Sequence, residues 1–197
     1  MDHGGLRTTL PDGTPVLLRE VGPDDASALL AGFKRLSPES LVFRFLRVVK
    51  QLSAADIDRF TRPDHTEHEA IGALVGRDAP DAAGIAHFFR LPEARTRAEL
   101  ALTVIDSFQR RGVGTTLLGR LLRLAHEGGI THLDAVVHTE NSGMLILLRR
   151  LGAQMVKDGE TWTCQLPVHP DPVAYPPNST ADTVRRVWKA QPPVRGA

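Results

Sequence analysis

A glycine-flanked loop between an apolar run and a leucine-rich stretch constrains the fold of this chain more than any other feature. The run of residues 99–105 is short, aliphatic and partly β-branched, which predicts a buried strand. From Val113 onward the leucines recur at helical spacing, which predicts a helix. Between them, at residues 109–114, two glycines let the chain turn tightly where a helix begins with unpaired N–H groups. Such N–H groups bind anions, so the loop predicts a phosphate site.

The residues around the glycines distinguish this loop from two other phosphate-binding loops. Leu117 replaces the third glycine of a G-x-G-x-x-G dinucleotide loop. A Walker loop would place a Lys-Ser or Lys-Thr pair after its last glycine, and Thr115 and Thr116 stand there instead. Arg110 and Arg111 add positive charge and forked donors that suit phosphate oxygens. A basic loop that merely begins an ordinary crossover helix is the alternative interpretation.

Length, charge and cysteine content narrow the class of protein. At 197 residues the chain fits one domain with a single core. Its 24 basic and 23 acidic residues balance, which gives no support to a nucleic-acid or membrane partner. Cys164 is the single cysteine, so no disulfide can form within the chain. Because the sequence has no signal-peptide core and no run near the roughly 18 apolar residues of a membrane helix, we expect a cytoplasmic protein.

The order of the predicted elements gives an α/β fold, a mixed sheet with helices on both faces. Helices are predicted to begin near Pro23, at Ser37, at the S-x-x-D capping box of Ser53, at the glycine loop and at Asn141. A charged loop over residues 92–97 is expected before the central strand. The predicted strands are residues 16–19, 69–76, 84–91, 99–105, 133–139, 154–156 and 161–166.

The composition changes at residue 169. Four prolines occur within residues 169–180, a density that cannot continue a strand or a helix and therefore predicts a tether. One short helix over residues 179–189 is expected to follow it. We therefore divide the chain into a domain over residues 1–168 and a proline-rich tail over residues 169–197.

Glu99 is the candidate general base. It stands at the start of the central strand, where strand alternation places Ala101 and Thr103 on the same face. A carboxylate there can accept a proton from an amine, directly or through one water. An amine with a pKa near about 10.4 needs such a base before it can act as a nucleophile at neutral pH. The alternative is a charged residue at a solvated strand end.

Two sets of residues resemble a known family. Residues 109–114 match the Q/R-x-x-G-x-G/A signature of the GNAT acetyltransferases, in which this loop holds the pyrophosphate of acetyl-CoA. The segment A-E-L-A-L-T-V around Glu99, together with D-G, S-P-E-S and R-F near the N-terminus, resembles the GNAT domain of bacterial Pat-type protein lysine acetyltransferases. This resemblance covers about residues 8–168. It implies the GNAT fold, acetyl-CoA as co-substrate, a protein lysine as acceptor and Glu99 as general base.

The resemblance also implies a cofactor-binding set. The main chain of the central strand would pair with the pantetheine arm by strand addition. Asn141 would lie near the same arm, although a helix N-cap needs no ligand, and Arg150 could equally be a solvated helix-end cation. The predicted cofactor-binding residues are Leu102, Thr103, Val104, Gln109, Arg110, Arg111, Gly112, Val113, Gly114, Thr115, Asn141 and Arg150.

The sequence also departs from the family pattern. Many GNAT enzymes carry a proton-donating tyrosine where this chain has Leu148, and the single tyrosine, Tyr175, lies in the tail. Water would then return the proton to the thiolate, or the thiolate would leave unaided. Pat-type enzymes are often fused to a cyclic-nucleotide-binding domain, for which 197 residues leave no room, so we expect no direct cyclic-nucleotide control.

Three functions stay open at this point: a protein lysine acetyltransferase, an acetyltransferase of a small amine or amino acid, and an acyl-CoA-binding sensor without turnover. No metal is expected, and the oligomeric state is not predicted. His65 and His68 are interpreted as parts of a solvated loop rather than as metal ligands, and His87 as a packed strand residue.

Overall fold

The computed structural model describes residues 5–190 of the chain. They form one eight-stranded sheet in the order β1-β2-β3-β4-β5-β6-β8-β7, in which only β5 and β6 are parallel neighbours. The strands are β1 (Leu6–Thr9), β2 (Pro15–Glu20), β3 (His68–Val75), β4 (Asp81–Leu91), β5 (Ala94–Val104), β6 (His132–His138), β7 (Gln154–Asp158) and β8 (Thr161–Pro167). The helices are α1 (Ala26–Phe33), α2 (Pro38–Phe45), α3 (Ala54–Thr61), α4 (Val113–Glu127), α5 (Ser142–Arg150) and α6 (Ser179–Lys189).

The predicted mixed sheet with helices on both faces is confirmed. Helix α4 packs on one face of the sheet and buries Leu117, Leu118, Leu121 and Leu122, each 0% exposed. Burial of a leucine side chain stabilises a fold by about 1.5–3 kcal/mol, so this stripe anchors the helix that begins at the glycine loop. Helices α1, α2 and α3 cover the opposite face of the sheet. No helix within residues 5–190 is both long and apolar enough to cross a bilayer.

Three of the predicted helix starts are confirmed by capping bonds. Ser53 and Asp56 form the reciprocal capping box of α3. Ser37 accepts a hydrogen bond from the Ser40 N–H at the start of α2, and Asn141 accepts one from the Met144 N–H at the start of α5. Local sequence therefore fixes where these helices begin, because each side chain satisfies an N–H that has no partner within the helix.

Two strand predictions need correction. Strand β1 was not predicted, and β5 begins at Ala94 rather than at Glu99. Residues that suggested a charged loop are strand residues in ion pairs, since Arg95 bonds Glu67 and Arg97 bonds Asp134. Charged residues at the exposed end of a strand were thus interpreted as a loop.

The interpretation of His68 as a loop residue is also wrong. His68 begins β3 and is 8% exposed. Its ring stacks on Phe89 with centroids 4.2 Å apart, and its Nε2 lies 3.0 Å from Nδ1 of His87. His87 is 1% exposed, as expected for a packed strand residue.

The proline-rich stretch packs against the body instead of forming a free tether. Tyr175 is 1% exposed, and its hydroxyl donates a hydrogen bond to the Pro167 carbonyl at 3.1 Å. The predicted helix is present as α6, which packs on α4 and buries Val184 and Val187. A Cβ built on Gly119 of α4 would lie 3.2 Å from Cα of Val184, so the two helices approach closely.

Candidate active site

A cleft opens where β5 and β6 diverge. Their parallel pairing extends only from Arg97 opposite His132 to Glu99 opposite Asp134. Beyond Glu99 the sequence of β5 continues to Val104 with β4 on one side, while its other edge no longer pairs with β6. The gap is a cavity of about 440 Å³ that both strands line. An open strand edge inside a cleft can bind an extended amide-containing ligand by strand addition.

The glycine loop adopts the conformation that its sequence predicted. Gly112 has φ +91° and is the residue before the first turn of α4. A Cβ at this position would also lie 2.7 Å from Cδ of Pro11 in the β1–β2 turn. Glycine is therefore required twice, for the left-handed backbone and for the close approach. No side chain caps α4, so its first N–H groups stay available for an anion.

Two side chains of the loop stabilise its conformation, and a third is an exposed cation. The Gln109 amide donates hydrogen bonds to the Val104 carbonyl at 3.1 Å and to Asp106 Oδ1 at 2.8 Å. Arg111 points to the β1–β2 turn, where its Nη2 lies 3.4 Å from Asp12 Oδ2. Arg110 is exposed and has φ +58°. Of the predicted polar side chains, Gln109 and Arg111 thus hold the loop in shape, and Arg110 is open to solvent.

Sequence reasoning missed the group that ties this loop to α2. Asp106 accepts hydrogen bonds from the Ser37 N–H at 2.5 Å and from the Ser40 hydroxyl. The same hydroxyl accepts a bond from Gln109 at 3.2 Å. The loop at one end of the cleft and the helix along its side are therefore held by one network. The S-P-E-S segment belongs to the family resemblance, but no local pattern in the sequence indicates that it pairs with Asp106.

Glu99 is exposed and lines the cleft. Asp134, its partner in the register, is held by Arg97, whose Nη2 lies 2.7 Å from Asp134 Oδ2. Of two neighbouring carboxylates, one is thus neutralised by an ion pair and the other faces the cavity. A carboxylate in this position can accept a proton from a group that enters the cleft.

The other predicted residues are distributed around the cleft as follows. Leu102 and Asn141 line it, and Asn141 also caps α5 through its Oδ1. The Thr103 side chain lines a second, smaller cavity under α1–α3, so only its main chain belongs to the open strand edge. Val113, Gly114 and Thr115 form the first turn of α4. Arg150 is exposed in the last turn of α5 and is absent from the described residues that line the cleft.

The tyrosine and the cysteine of the chain both lie away from the cleft, where neither could give a proton to the leaving thiolate. Burial raises the pKa of Tyr175 to about 12, and its hydroxyl is bonded to the Pro167 carbonyl at the end of β8. Leu148 is 0% exposed. Burial also raises the pKa of Cys164, which is a packing residue of β8. Within residues 5–190, then, neither the tyrosine nor the cysteine lines the cavity.

Most residues that line the cleft were not predicted. Among them are Phe43, Arg44 and Phe45 of α2 and Thr163 of β8. Burial lowers the pKa of Arg44 to about 10, and its guanidinium lies over the rings of Phe45 and Phe60, 5.1 and 5.4 Å from their centroids. R-F was noted only as part of a resemblance, and the helix pattern alone does not show which residue of α2 reaches the cavity.

A diverging parallel strand pair beside a glycine-begun helix, in a sheet of this order, defines an acyltransferase fold. The chain belongs to the GNAT acetyltransferase family, because the model described as "Acetyltransferase (GNAT) domain" matches residues 16–154. It is 34% identical over 179 residues to the acetyltransferase Pat of Mycolicibacterium smegmatis, a match that covers 88% of this chain and 53% of that protein. The chain therefore spans about half the length of this relative.

Solved structures agree with this assignment. The GNAT domain of S. lividans PAT superposes with a TM-score of 0.77 at 26% identity, over 85% of this chain and 98% of that one. The PaiA N-acetyltransferase of Thermoplasma acidophilum, solved with coenzyme A, has a TM-score of 0.56 at 17% identity, over 77% and 98% of the two chains. The second likeness concerns the fold alone.

Proposed function

We propose that this chain is an N-acetyltransferase that transfers the acetyl group of acetyl-CoA to a protein lysine, with Glu99 as general base. One observation carries the proposal: the divergence of β5 and β6 puts an open strand edge and an exposed carboxylate into one cleft. The glycine-begun N-terminus of α4 follows β5 in the chain, after the 3-10 turn of Asp106–Phe108. Binding of CoA by a GNAT relative of the same fold supports the choice of donor.

The proposed binding mode follows the polarity of the loop and strand. The first N–H groups of α4, with Arg110, bind the diphosphate of CoA. The main chain of Leu102–Val104 pairs with the pantetheine amides, and Asn141 lies beside the same arm. The buried Cys164 thiol supports a reducing, cytoplasmic setting for the protein.

The proposed reaction uses the chain's own groups for one proton transfer. A lysine ammonium gives its proton to Glu99, directly or through one water, because only the neutral amine has a lone pair. The nitrogen attacks the thioester carbonyl, whose oxygen accepts a hydrogen bond from the open edge of β5. The C–S bond breaks, the nitrogen releases its second proton to water as the amide forms, and the thiolate takes a proton from water, since Leu148 offers none.

The surroundings of Glu99 favour a protein lysine as the acceptor. Glu99 is exposed at the wall of an open cleft, which suits a lysine presented by a protein surface. The cavity lined by α1 and α2 would suit a small amine, but Glu99 is not among its lining residues. Likeness to the acetyltransferase Pat over 88% of this chain supports acetyl transfer, and the resemblance of the segment around Glu99 to Pat-type lysine acetyltransferases supports a protein lysine as acceptor.

The test compares Glu99→Gln with Glu93→Gln. Glu93 is an exposed carboxylate in the β4–β5 turn, outside the cleft, so it controls for the loss of one negative charge. We expect release of CoA thiol from acetyl-CoA with lysine peptides as acceptors, a loss of about 10²–10⁴-fold in Glu99→Gln and no loss in Glu93→Gln. Equal rates for the two variants would contradict the role of Glu99. Binding of acetyl-CoA without thiol release in any variant would instead identify a sensor.

A further inference from the structure

Arg44 is a half-buried cation that no group within residues 5–190 neutralises by contact. Burial lowers the pKa of its guanidinium to about 10, so the group still carries a positive charge at neutral pH. Its surroundings are largely aromatic, with the rings of Phe45 and Phe60 beside it. Among residues 5–190, no hydrogen bond or ion pair within 4 Å joins the guanidinium to another residue. Five donors thus stay unused in a site where desolvation is costly.

Arg44 lies between the two cavities of the molecule. It lines the 440 Å³ cleft together with Glu99 and Leu102, and it also lines the smaller cavity under α1–α3. No fully buried side-chain nitrogen in the described chain lacks a partner, so the guanidinium nitrogens still reach solvent. A ligand that enters the cleft can therefore replace water at these donors without a change in the protein.

The balance of charge around Arg44 favours an anion. The charged groups that act on it are Glu99 from β5 and Arg59 from α3. His87 and His68 on the neighbouring strands are neutral at pH 7, since burial lowers the pKa of both. Asp134 across the cleft is paired with Arg97. Two cations and one carboxylate leave a net positive charge for an entering group.

We infer that Arg44 forms a carboxylate-binding subsite in the acyl-transfer cleft, an inference that rests on the proposed binding of acyl-CoA. A planar guanidinium with free donors matches a carboxylate bidentately, and such charge-assisted pairs are the strong class of hydrogen bond. The carboxylate can belong to the acyl group, as in a dicarboxylic acyl thioester, or to the acceptor amine. The chemistry at Arg44 is the same in both cases.

The first arm of the test examines the donor. Acetyl-CoA and succinyl-CoA are titrated calorimetrically into the wild-type chain, Arg44→Met, Arg44→Lys and Arg59→Met. If the carboxylate belongs to the acyl group, the wild type binds succinyl-CoA about tenfold more tightly than acetyl-CoA, and Arg44→Met loses this difference. Arg44→Lys keeps the positive charge but lacks the planar pair of donors, so it should retain part of the difference in affinity.

The second arm examines the acceptor with the chain saturated with CoA. L-Lysine and cadaverine form a matched pair of probes, because they differ by the carboxylate alone. If the carboxylate belongs to the acceptor, L-lysine binds about tenfold more tightly than cadaverine, and Arg44→Met removes the preference.

Arg59→Met is the matched control. Arg59 lies over the Phe89 ring at 4.2 Å and belongs to the same cationic cluster, but it is absent from the cleft lining. Because Arg59→Met removes a charge but no donor that lines the cleft, it should weaken both preferences less than Arg44→Met does. If circular dichroism shows that Arg44→Met is unfolded, the comparison of Arg44→Lys with the wild type decides.

Two results overturn the inference: no carboxylate preference in either arm, or a preference that survives in Arg44→Met. These differ from a failure of the proposed function, which would appear as absent heat with both CoA thioesters and with CoA itself. In that last case the subsite falls together with the function on which it rests.

Discussion

At the scale of single residues, the site depends on positions that tolerate little change for different physical reasons. Gly112 is fixed by backbone conformation and by the neighbouring Pro11. Glu99 is set by charge, since Asp134 beside it is already engaged with Arg97. Arg44 is set by burial next to two aromatic rings. Only the backbone conformation of Gly112 can be predicted from the local sequence, because the approach to Pro11, burial and ion pairing depend on residues distant in the chain.

Gly112→Ala tests the glycine loop. The substitution forces a Cβ to within 2.7 Å of Pro11 and strains a backbone at φ +91°, so the loop must move. We expect affinity for CoA, measured by calorimetry, to fall by about tenfold or more, with a loss of stability of about 1–3 kcal/mol.

Gly129→Ala is the control for backbone strain alone. Gly129 has φ +74°, and a Cβ there would meet nothing within 4 Å. It should lose about 1 kcal/mol of stability and keep the affinity for CoA. Equal losses of affinity in both variants would show that strain, not the approach to Pro11, sets the loop.

At the scale of elements, the strand–loop–helix unit was predicted because its signals are local. Residues 99–105 and the leucines of α4 lie on either side of two glycines, and the helix caps follow from neighbouring side chains. The packing of residues 169–189 was not predicted. A high proline content argues against a strand or helix, but it does not indicate whether a segment packs on the rest of the domain. Tyr175 and Val184 fill the core behind α4, which only the tertiary structure reveals.

Val184→Ala tests whether α6 supports the body. Val184 is 0% exposed against α4, so removing two methyl groups leaves a cavity behind the helix that begins at the glycine loop. We expect a loss of about 1–3 kcal/mol in urea unfolding, with a single transition. Val173→Ala is the control because Val173 is 63% exposed, and it should change stability by less than about 0.5 kcal/mol. A wild-type midpoint for Val184→Ala would mean that α6 is dispensable for stability.

At the scale of the whole molecule, a buried network crosses the sheet beside the cleft. His68 and His87 bond to each other between the aromatic rings of Phe60 and Phe89, on the face that carries Glu99. The cations Arg44 and Arg59 flank the pair. The histidine spacing in the sequence suggested a solvated loop for His68, because nothing local shows that β3 begins there. Burial of this pair couples the stability of the fold to pH.

Acid should therefore destabilise this protein above the range in which its carboxylates titrate. Burial lowers the pKa of His68 to about 4 and that of His87 well below its ordinary value, whereas both titrate near about 6.5 in the unfolded chain. Between these values the unfolded chain binds more protons than the folded chain. Stability is complete above about pH 6.5 and is lost as the pH falls towards 4. Urea unfolding at pH 7.5 and 5.0 should show a loss of about 1–3 kcal/mol in the free energy of unfolding at the lower pH.

His87→Gln should flatten this dependence of stability on pH, whatever the absolute stability of the variant. His126→Gln, at an exposed position of α4, should keep the dependence. An unchanged slope in His87→Gln would assign the acid sensitivity to other groups.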